Sequence, residues 1–308
     1  MKPFLIHSGI ALSGVLAILC LLEIPIQLNY SSVNSPLADW QTLEGQNAKI
    51  LIIGNSRAWT TYNPEVIEQV SGMSTFALSQ DGWNADILKE KAAYYLLHNS
   101  DPEIVLLQCD PSMVFERKEW YKKEEFLKYL LFDRINIRTF GSNLSGYRWW
   151  DFFFPAARYF GFPKRYLVDA LGIYNPLNSD FSKNRKTKGF CAYQTNSSQL
   201  KDVPVKSIWT KEFEPNRFES LTNIRMLFPT SQVIFTFPPV SHRLFETMDI
   251  SPYKEFASKF GQVLLIHQYE TPFDDTLFYD HTHVNVLGSE MVTNLLNQYL
   301  SENALQLP

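Results

Sequence analysis

The sequence predicts an α/β protein with a parallel sheet, an amino-terminal transmembrane helix and a mostly helical, aromatic-rich insert. Short apolar runs alternate with helix patterns, which is typical of parallel strands joined by right-handed crossovers. Residues 4–22 contain no Asp, Glu, Lys or Arg, and such a run is long enough to cross a bilayer as a helix. Between about 112 and 230 the strand pattern lapses and aromatic residues become frequent, which favours an inserted cap.

Composition limits the possible function classes. The chain has 308 residues, of which 45% are hydrophobic and 19% are charged, so it can bury a substantial core. Its formal net charge of -4 leaves no basic excess to neutralise phosphates, which argues against a general nucleic-acid-binding protein. Cys20, Cys109 and Cys191 are too few and too scattered for a disulfide framework or a zinc cluster. We predict no cofactor.

The apolar amino-terminal run has three interpretations: a retained anchor, a cleaved signal peptide or a buried helix. No small-x-small cleavage site follows it and it continues to Ile26, so the anchor is favoured. Lys2 precedes the run while Asp39 and Glu44 follow it, which favours a single-pass protein of the cell membrane with an extracytoplasmic domain. The predicted parts are an anchor at 1–28, a polar linker at 29–46, and an α/β domain at 47–308 with its insert at about 112–230.

The first predicted strand, residues 50–54, ends in the turn Gly54-Asn55-Ser56. The strand is uncharged and consists mostly of Ile and Leu, which suits a strand buried on both faces of a parallel sheet. Ser56 then lies at the carboxyl end of a strand, where open α/β sheets keep their sites. A simpler interpretation is that Asn55 and Ser56 only turn the chain.

Helix start and stop signals define the other elements. Asn63 can cap a helix that begins with Pro64 and ends near Gly72. Further strands are expected at 74–79, 103–109, 232–237 and 262–267, and further helices at 84–98 and 253–260. A final helix follows residue 283, with Leu287, Met291, Leu295 and Tyr299 recurring every four residues.

Asp280 and His283 come directly before the final helix and bear the groups that a serine nucleophile needs. A serine hydroxyl is a poor nucleophile until a base removes its proton, and a carboxylate orients that base. His281 is the alternative base. Asp280, His281 and His283 are also possible zinc ligands, or Asp280 and His283 could simply cap the following helix.

These two stretches resemble the SGNH/GDSL hydrolase superfamily, whose first block is a strand followed by G-D-S and whose last block is D-x-x-H. The matching residues are Gly54-Asn55-Ser56 and Asp280-x-x-His283. The surrounding GNSRAWTTYNPEVIEQVSG and FALSQDGWNAD look most like membrane-anchored bacterial members that accompany polysaccharide or teichoic-acid acylation. The resemblance covers roughly residues 49–110 and 231–300.

The resemblance implies a three-layer flavodoxin-like fold and a role for each matched residue. Ser56 would be the nucleophile, His283 the base and Asp280 the group that orients it. The amides of Ser56 and Gly82 would form the oxyanion hole. By the same resemblance, a membrane-bound O-acyltransferase would supply the acyl group and a cell-envelope polysaccharide would receive or lose it.

The chain departs from the superfamily pattern at two blocks. Asn55 stands where an aspartate is usual, and the third block near residues 108–111 has no asparagine. Either Gln108 or Asn84 could replace the missing side-chain donor of the oxyanion hole. We interpret these departures as typical of a divergent transfer branch rather than an ordinary esterase.

Candidate substrate contacts are Arg57, which follows the predicted nucleophile, and His242 and Arg243, which follow the fourth strand. Six aromatic residues lie between positions 147 and 154 of the insert. They are interpreted as the insert's own core, with a sugar-stacking platform or a bilayer-interface contact as the alternative.

The function predicted from the sequence is extracytoplasmic acyl transfer acting on O-acyl groups of an envelope polysaccharide, without a metal. One alternative is an SGNH-type esterase or deacylase acting on a small or glycan ester. The other is a catalytically weak glycan-binding or assembly subunit.

Overall fold

A computed structural model describes residues 2–30, 43–114, 148–154, 156–161, 164, 167–168, 171, 188–194, 218–261, 264–267 and 273–304. The chain divides into two compact units. The first comprises Met1–Thr42 with Lys118–Ser182, and the second comprises Leu43–Arg117 with Lys183–Pro308. Most of the predicted linker and most of the predicted insert lie outside the described residues.

The first unit contains helix α1, Lys2–Tyr30. Its stretch Pro3–Ile26 is apolar and long enough to cross a membrane, so the predicted apolar helix is confirmed. A signal sequence near an amino terminus has the same length and composition, and the orientation stays a prediction. The unit also contains two 3₁₀ turns, Trp149–Phe152 and Ala157–Tyr159.

The second unit is built on a parallel five-stranded sheet in the order β2-β1-β3-β4-β5. The predicted parallel α/β architecture is therefore confirmed. The strands are β1 Ile50–Gly54, β2 Thr75–Ser79, β3 Ile104–Gln108, β4 Gln232–Thr236 and β5 Leu264–Leu265.

Helices and short turns connect the strands. They are α2 Ser56–Thr61, α3 Pro64–Ser71, α4 Ala85–His98, α5 Pro111–Val114, α6 Glu219–Met226, α7 His242–Phe245, α8 Ser251–Ser258 and α9 Val286–Tyr299. A 3₁₀ turn, Asp275–Leu277, precedes α9, and a π-helical turn, Leu300–Ala304, follows it.

Strand β1 is buried on both faces, as its composition predicts. Ile50 and Ile52 belong to one core cluster, which also contains Ile67 of α3 and Val292 of α9. Because side chains alternate along a strand, Leu51 and Ile53 point to the opposite face. They are also fully buried.

Asparagine side chains cap the helices that follow the strands. Asn63 accepts a hydrogen bond from the amide of Glu65, Asn84 from that of Ile87, and Asn285 from those of Leu287 and Gly288. These bonds satisfy amides that have no acceptor within the helix. The predicted start of α3 at Asn63-Pro64 and its end at Gly72 are both confirmed.

The buried face of α9 differs from the predicted stripe. Leu287 is 50% exposed, whereas Val292 and Leu296 are fully buried. Met291, Leu295 and Tyr299 lie at the border of the core. The centre of the face also carries small and polar residues such as Ser289 and Thr293, whose hydroxyls donate to the carbonyl of Thr61. The predicted stripe of large apolar residues therefore lies along the edge of the buried face of α9 and not at its centre.

His267, just after β5, is a fully buried histidine. Neither ring nitrogen has a hydrogen-bond partner among the residues that the structure describes, and the ring lies 6.4 Å from that of Tyr62. Burial lowers the pKa of His267 from 6.5 to about 4. The folded protein therefore holds this imidazole neutral.

We expect His267 to make the second unit sensitive to acid. Below the unfolded pKa of 6.5 the unfolded chain binds a proton that the folded chain refuses, so stability is lost as the pH falls from 6.5 towards 4. Between pH 7 and pH 4 this residue should cost about 3 kcal/mol. Urea unfolding of the wild type and of His267→Phe across this range measures the difference. Exposed His242 gives the control, His242→Gln. Equal pH dependence in wild type and His267→Phe would contradict the assignment.

Candidate active site

The structure brings three residues from opposite ends of the chain into one hydrogen-bonded series. The Oγ atom of Ser56 lies 2.8 Å from Nε2 of His283. On the other side of the ring, Nδ1 of His283 lies 2.9 Å from Oδ2 and 3.0 Å from Oδ1 of Asp280. Ser56 and His283 are 227 positions apart in the sequence. This is the geometry of a nucleophile, a base and an orienting carboxylate.

Ser56 is held at the first position of α2, directly after β1. The side chain of Asn55 accepts from the amide of Arg57, and the side chain of Gln108 accepts from the amides of Asn55 and Ala58. Amides 55, 57 and 58 thus have acceptors. Among the described residues, none accepts from the amide of Ser56, which leaves it as a donor beside the Ser56 hydroxyl.

Gly54 allows this turn to pack against β3. A Cβ atom at position 54 would lie 2.4 Å from Oε1 of Gln108 and 2.5 Å from the Cβ of Ala58. Both distances are far below a van der Waals contact. Any larger residue would therefore push Gln108 away from the amides that it holds.

The carboxylate of Asp280 also folds the loop that carries His283. Its Oδ1 atom accepts from the amides of Thr282 and His283, at 2.7 and 2.9 Å, and from the Thr282 hydroxyl. Burial acts to raise the pKa of Asp280, but the hydrogen bonds from His283 and Thr282 outweigh it and hold the pKa below its ordinary value. The carboxylate is therefore ionised at neutral pH.

An ionised Asp280 sets the tautomer of His283. Because the carboxylate can only accept, we assign the imidazole proton to Nδ1 from the hydrogen-bond network. The Nε2 atom is then an acceptor for the Ser56 hydroxyl. The arrangement fits His283 as a base.

Arg57 is a buried structural residue, and its predicted role as a substrate contact is wrong. Its side chain is 1% exposed and pairs with the fully buried carboxylate of Asp110. It also donates to the carbonyls of Thr282, at 3.0 Å, and of Pro238 and Pro239. These bonds join the start of α2 to the ends of β3 and β4 and to the His283 loop.

Gln108 is also committed to the fold, so its predicted role as an oxyanion donor is wrong. The residue is fully buried. Its Nε2 atom donates to Asn55 at 3.0 Å, to Asp110 at 2.7 Å and to Ser112 at 3.0 Å. The two departures from the superfamily pattern, Asn55 and Gln108, are therefore in direct contact.

Gly82 and Asn84 lie in the loop after β2, next to the end of β1 because Ser79 pairs with Gly54. Gly82 has a φ of +77°, a conformation that favours glycine. The Oδ1 atom of Asn84 caps α4, which leaves Nδ2 as a donor. The oxyanion roles of Gly82 and Asn84 stay predictions.

His242 and Arg243 lie on the surface at the start of α7. His242 is 71% exposed and lies 3.1 Å from Glu246, and within the described ranges no contact joins either residue to Ser56 or His283. The buried neighbour Ser241 instead reaches the His283 loop: its hydroxyl lies 2.8 Å from Nδ1 of His281, and its amide donates to the His281 carbonyl. His281 thus fixes the loop, while His283 contacts Ser56.

One aromatic side chain that the sequence did not identify, Tyr193, contacts His283 and joins it to a small aromatic group. The ring of Tyr193 meets that of His283 edge-on at 5.6 Å and stacks on that of Tyr279 at 4.5 Å. Trp59 contacts Tyr193 edge-on. Main-chain bonds from Cys191 to Trp59 and from Val286 to Tyr193 fix this group. Tyr193 lies in the insert, and its sequence neighbourhood carries no motif that could have identified it.

Comparison of the chain with protein-family models gave no match, and a search of curated proteins gave none either. In the part of the chain that the structure describes, no three His, Cys, Asp or Glu side chains are grouped as a metal site.

We expect Arg57→Met to cost about 3–5 kcal/mol of unfolding free energy, because it leaves the carboxylate of Asp110 buried without its partner. In the double variant Arg57→Met/Asp110→Asn no charge remains unpaired. The double variant should therefore be more stable than the sum of the single variants implies. Urea unfolding of the four proteins measures this coupling energy. Additive effects would contradict the pairing.

Proposed function

We propose that the chain is an SGNH/GDSL-type serine enzyme that handles acyl esters. The observation that carries the proposal is the series from the Ser56 hydroxyl through the His283 imidazole to the Asp280 carboxylate, with contacts of 2.8 and 2.9 Å. The strand order 2-1-3-4-5 and the burial of both faces of β1 support the three-layer flavodoxin-like fold of that superfamily.

The first half-reaction forms an acyl-enzyme. The Oγ atom of Ser56 attacks the carbonyl carbon of the acyl donor while Nε2 of His283 takes the hydroxyl proton. Asp280 stabilises the imidazolium that results. The amides of Ser56 and Gly82 stabilise the negative carbonyl oxygen. When the tetrahedral intermediate collapses, the bond to the leaving oxygen breaks and that oxygen takes the proton from His283.

The second half-reaction releases the acyl group from Ser56. An incoming hydroxyl, from a sugar or from water, gives its proton to His283 and attacks the acyl carbon. The proton then passes to Oγ of Ser56, which restores the free serine. A sugar hydroxyl makes the enzyme a transferase, and water makes it an esterase or deacylase.

The proposed substrate is an O-acylated polysaccharide of the cell envelope. Tyr279 is 39% exposed and stacks on Tyr193 beside His283, and aromatic faces of this kind suit sugar rings. The apolar helix α1 supports a location at the membrane. The second unit is proposed to lie on the extracytoplasmic side because Lys2 precedes the apolar run while Asp39 and Glu44 follow it. A membrane-bound O-acyltransferase is the proposed partner that supplies the acyl group.

Transfer is proposed over hydrolysis from the resemblance to members that accompany polysaccharide acylation. The oxyanion hole does not separate the two reactions, because both pass through the same kind of tetrahedral intermediate. Gln108, at the third block, is committed to the fold, so the proposed hole has no side-chain donor from that residue. An oxyanion hole with fewer donors stabilises the intermediate less. The commitment of Gln108 to the fold also supports the alternative of a glycan-binding protein, in which Ser56, His283 and Asp280 have little catalytic activity.

A fluorophosphonate probe tests whether Ser56 is a nucleophile. We expect covalent labelling of the wild type and none of Ser56→Ala. Labelling of Asp280→Asn should be slower by about 10²-fold or more, because the carboxylate no longer stabilises the imidazolium. Ser258→Ala, at an exposed serine of α8, is the matched control and should label as the wild type does. Persistent labelling of Ser56→Ala, or none of the folded wild type, would refute the enzyme proposal.

Product analysis separates transfer from hydrolysis. The protein is incubated with a nitrophenyl acetate donor, with and without a soluble oligosaccharide acceptor. We expect acetylated oligosaccharide to form at the expense of free acetate, and Ser56→Ala to form no more of either product than the protein-free buffer does. Acetate release that the acceptor does not change would establish an esterase instead.

A further inference from the structure

The carboxyl half of α1 carries a buried ion pair of the first unit. Glu23 lies within the apolar span Pro3–Ile26, and its two carboxylate oxygens accept from Nη1 and Nη2 of Arg158, each at 2.7 Å. The Ala156 amide donates to the same carboxylate at 3.1 Å. The two side chains are 8% and 0% exposed. A buried charge in an apolar span is costly unless it is paired, so α1 depends on a partner 135 positions away.

Apolar contacts surround this ion pair. Leu19 and Ile26, one turn on either side of Glu23, form a cluster with Ala156 and Tyr159. A signal sequence that is removed has no place in the core of the mature protein. The packing therefore favours an α1 that is retained as part of the first unit.

The turn that carries Arg158 is joined to a second, aromatic turn. Nη2 of Arg148 donates to the carbonyl of Arg158 at 3.1 Å and also pairs with Asp151. The two turns expose large side chains: Trp149 is 66% exposed, Phe153 70% and Phe160 59%. These aromatics do not form a buried core.

Helix geometry gives the depth of these turns. With a rise of about 1.5 Å per residue, the step from Pro3 to Glu23 is about 30 Å, the thickness of the hydrocarbon core. If Pro3 lies at one boundary of the bilayer, Glu23 lies at the other. Leu21 and Ile24, which flank Glu23, are 65% and 55% exposed. With that placement, the aromatic turns that Glu23 fixes to α1 lie at the level where Trp residues collect in membrane proteins.

We propose that residues 148–154 and 156–160 form a membrane-interface element. The Glu23–Arg158 ion pair fixes the element to the end of a retained α1, and Trp149, Phe153 and Phe160 enter the boundary between lipid headgroups and acyl chains. The partner is a lipid surface, because the exposed aromatics belong to the same packed unit as a helix that has a bilayer's length.

Lipid photocrosslinking tests this contact. The full chain is placed in nanodiscs of phosphatidylcholine and phosphatidylglycerol that contain a lipid with a diazirine on its acyl chain, and adducts are mapped by mass spectrometry. We expect adducts on α1 and on the 149–160 peptide. The variant Phe153→Ser/Phe160→Ser should reduce those on the peptide to the level of the second unit. Met226→Ser, at a 67% exposed residue of the second unit, should change nothing. Adducts confined to α1 would overturn the proposal in favour of a glycan or protein partner.

Charge reversal tests the ion pair. In Glu23→Arg the 149–160 peptide should lose its lipid adducts while α1 keeps them, and in Glu23→Arg/Arg158→Glu the adducts should return. If the single variant fails to fold, the return of the lipid adducts in a folded double variant still tests the role of the ion pair. Unchanged adducts in a folded single variant would overturn the role of the pair. A protein isolated from cells without residues 3–26 would overturn the retention of α1.

Discussion

Arg57 carries a buried guanidinium that hydrogen-bonds to three separate parts of the second unit. Its partners are the carboxylate of Asp110 after β3, the carbonyls of Pro238 and Pro239 after β4, and the carbonyl of Thr282 in the loop before α9. A buried charge is costly unless its hydrogen-bond donors are satisfied. The three segments are therefore held where their oxygen atoms accept from the guanidinium of Arg57. The Ser56 turn and the His283 loop meet under this constraint.

A second layer of buried polar groups fixes the serine itself. Gln108 accepts from two amides of the Ser56 turn and donates to Asn55, Asp110 and Ser112. The pattern that the sequence resembles has an aspartate where Asn55 stands, and a carboxylate at this position would share one hydrogen-bond network with that of Asp110. Asn55 both accepts from Gln108 and donates to Ser112, whereas an ionised carboxylate could only accept. Asn55 and Gln108 are thus complementary partners in one buried network.

Much of the second unit could be predicted from local pattern. Strand β1 and helix α3 have the predicted bounds to within a residue. An uncharged apolar run and an Asn-Pro helix start are local signals, which can be read from a few consecutive residues. Helix α2 was not predicted, since its six residues include Trp59, Thr60 and Thr61, which have low helix propensity. Packing against α9 holds it instead.

The sequence by itself determined the strands and the capped helices, because spacing and residue type carry that information. The pairing of an early serine with a late Asp-x-x-His was predicted from the resemblance to the SGNH/GDSL superfamily. Only the tertiary structure decided which polar residues meet at Ser56 and which hold the fold. Arg57 and Gln108 look like substrate-binding groups in the sequence, yet both are buried. The side-chain partners of Arg57 lie 53 to 225 positions away, and the amides that Gln108 holds lie 50 and 53 positions away, so these bonds could not be read from neighbouring residues. The contact between Tyr193 and His283 is likewise a tertiary contact, and no pattern in the residues around Tyr193 predicts it.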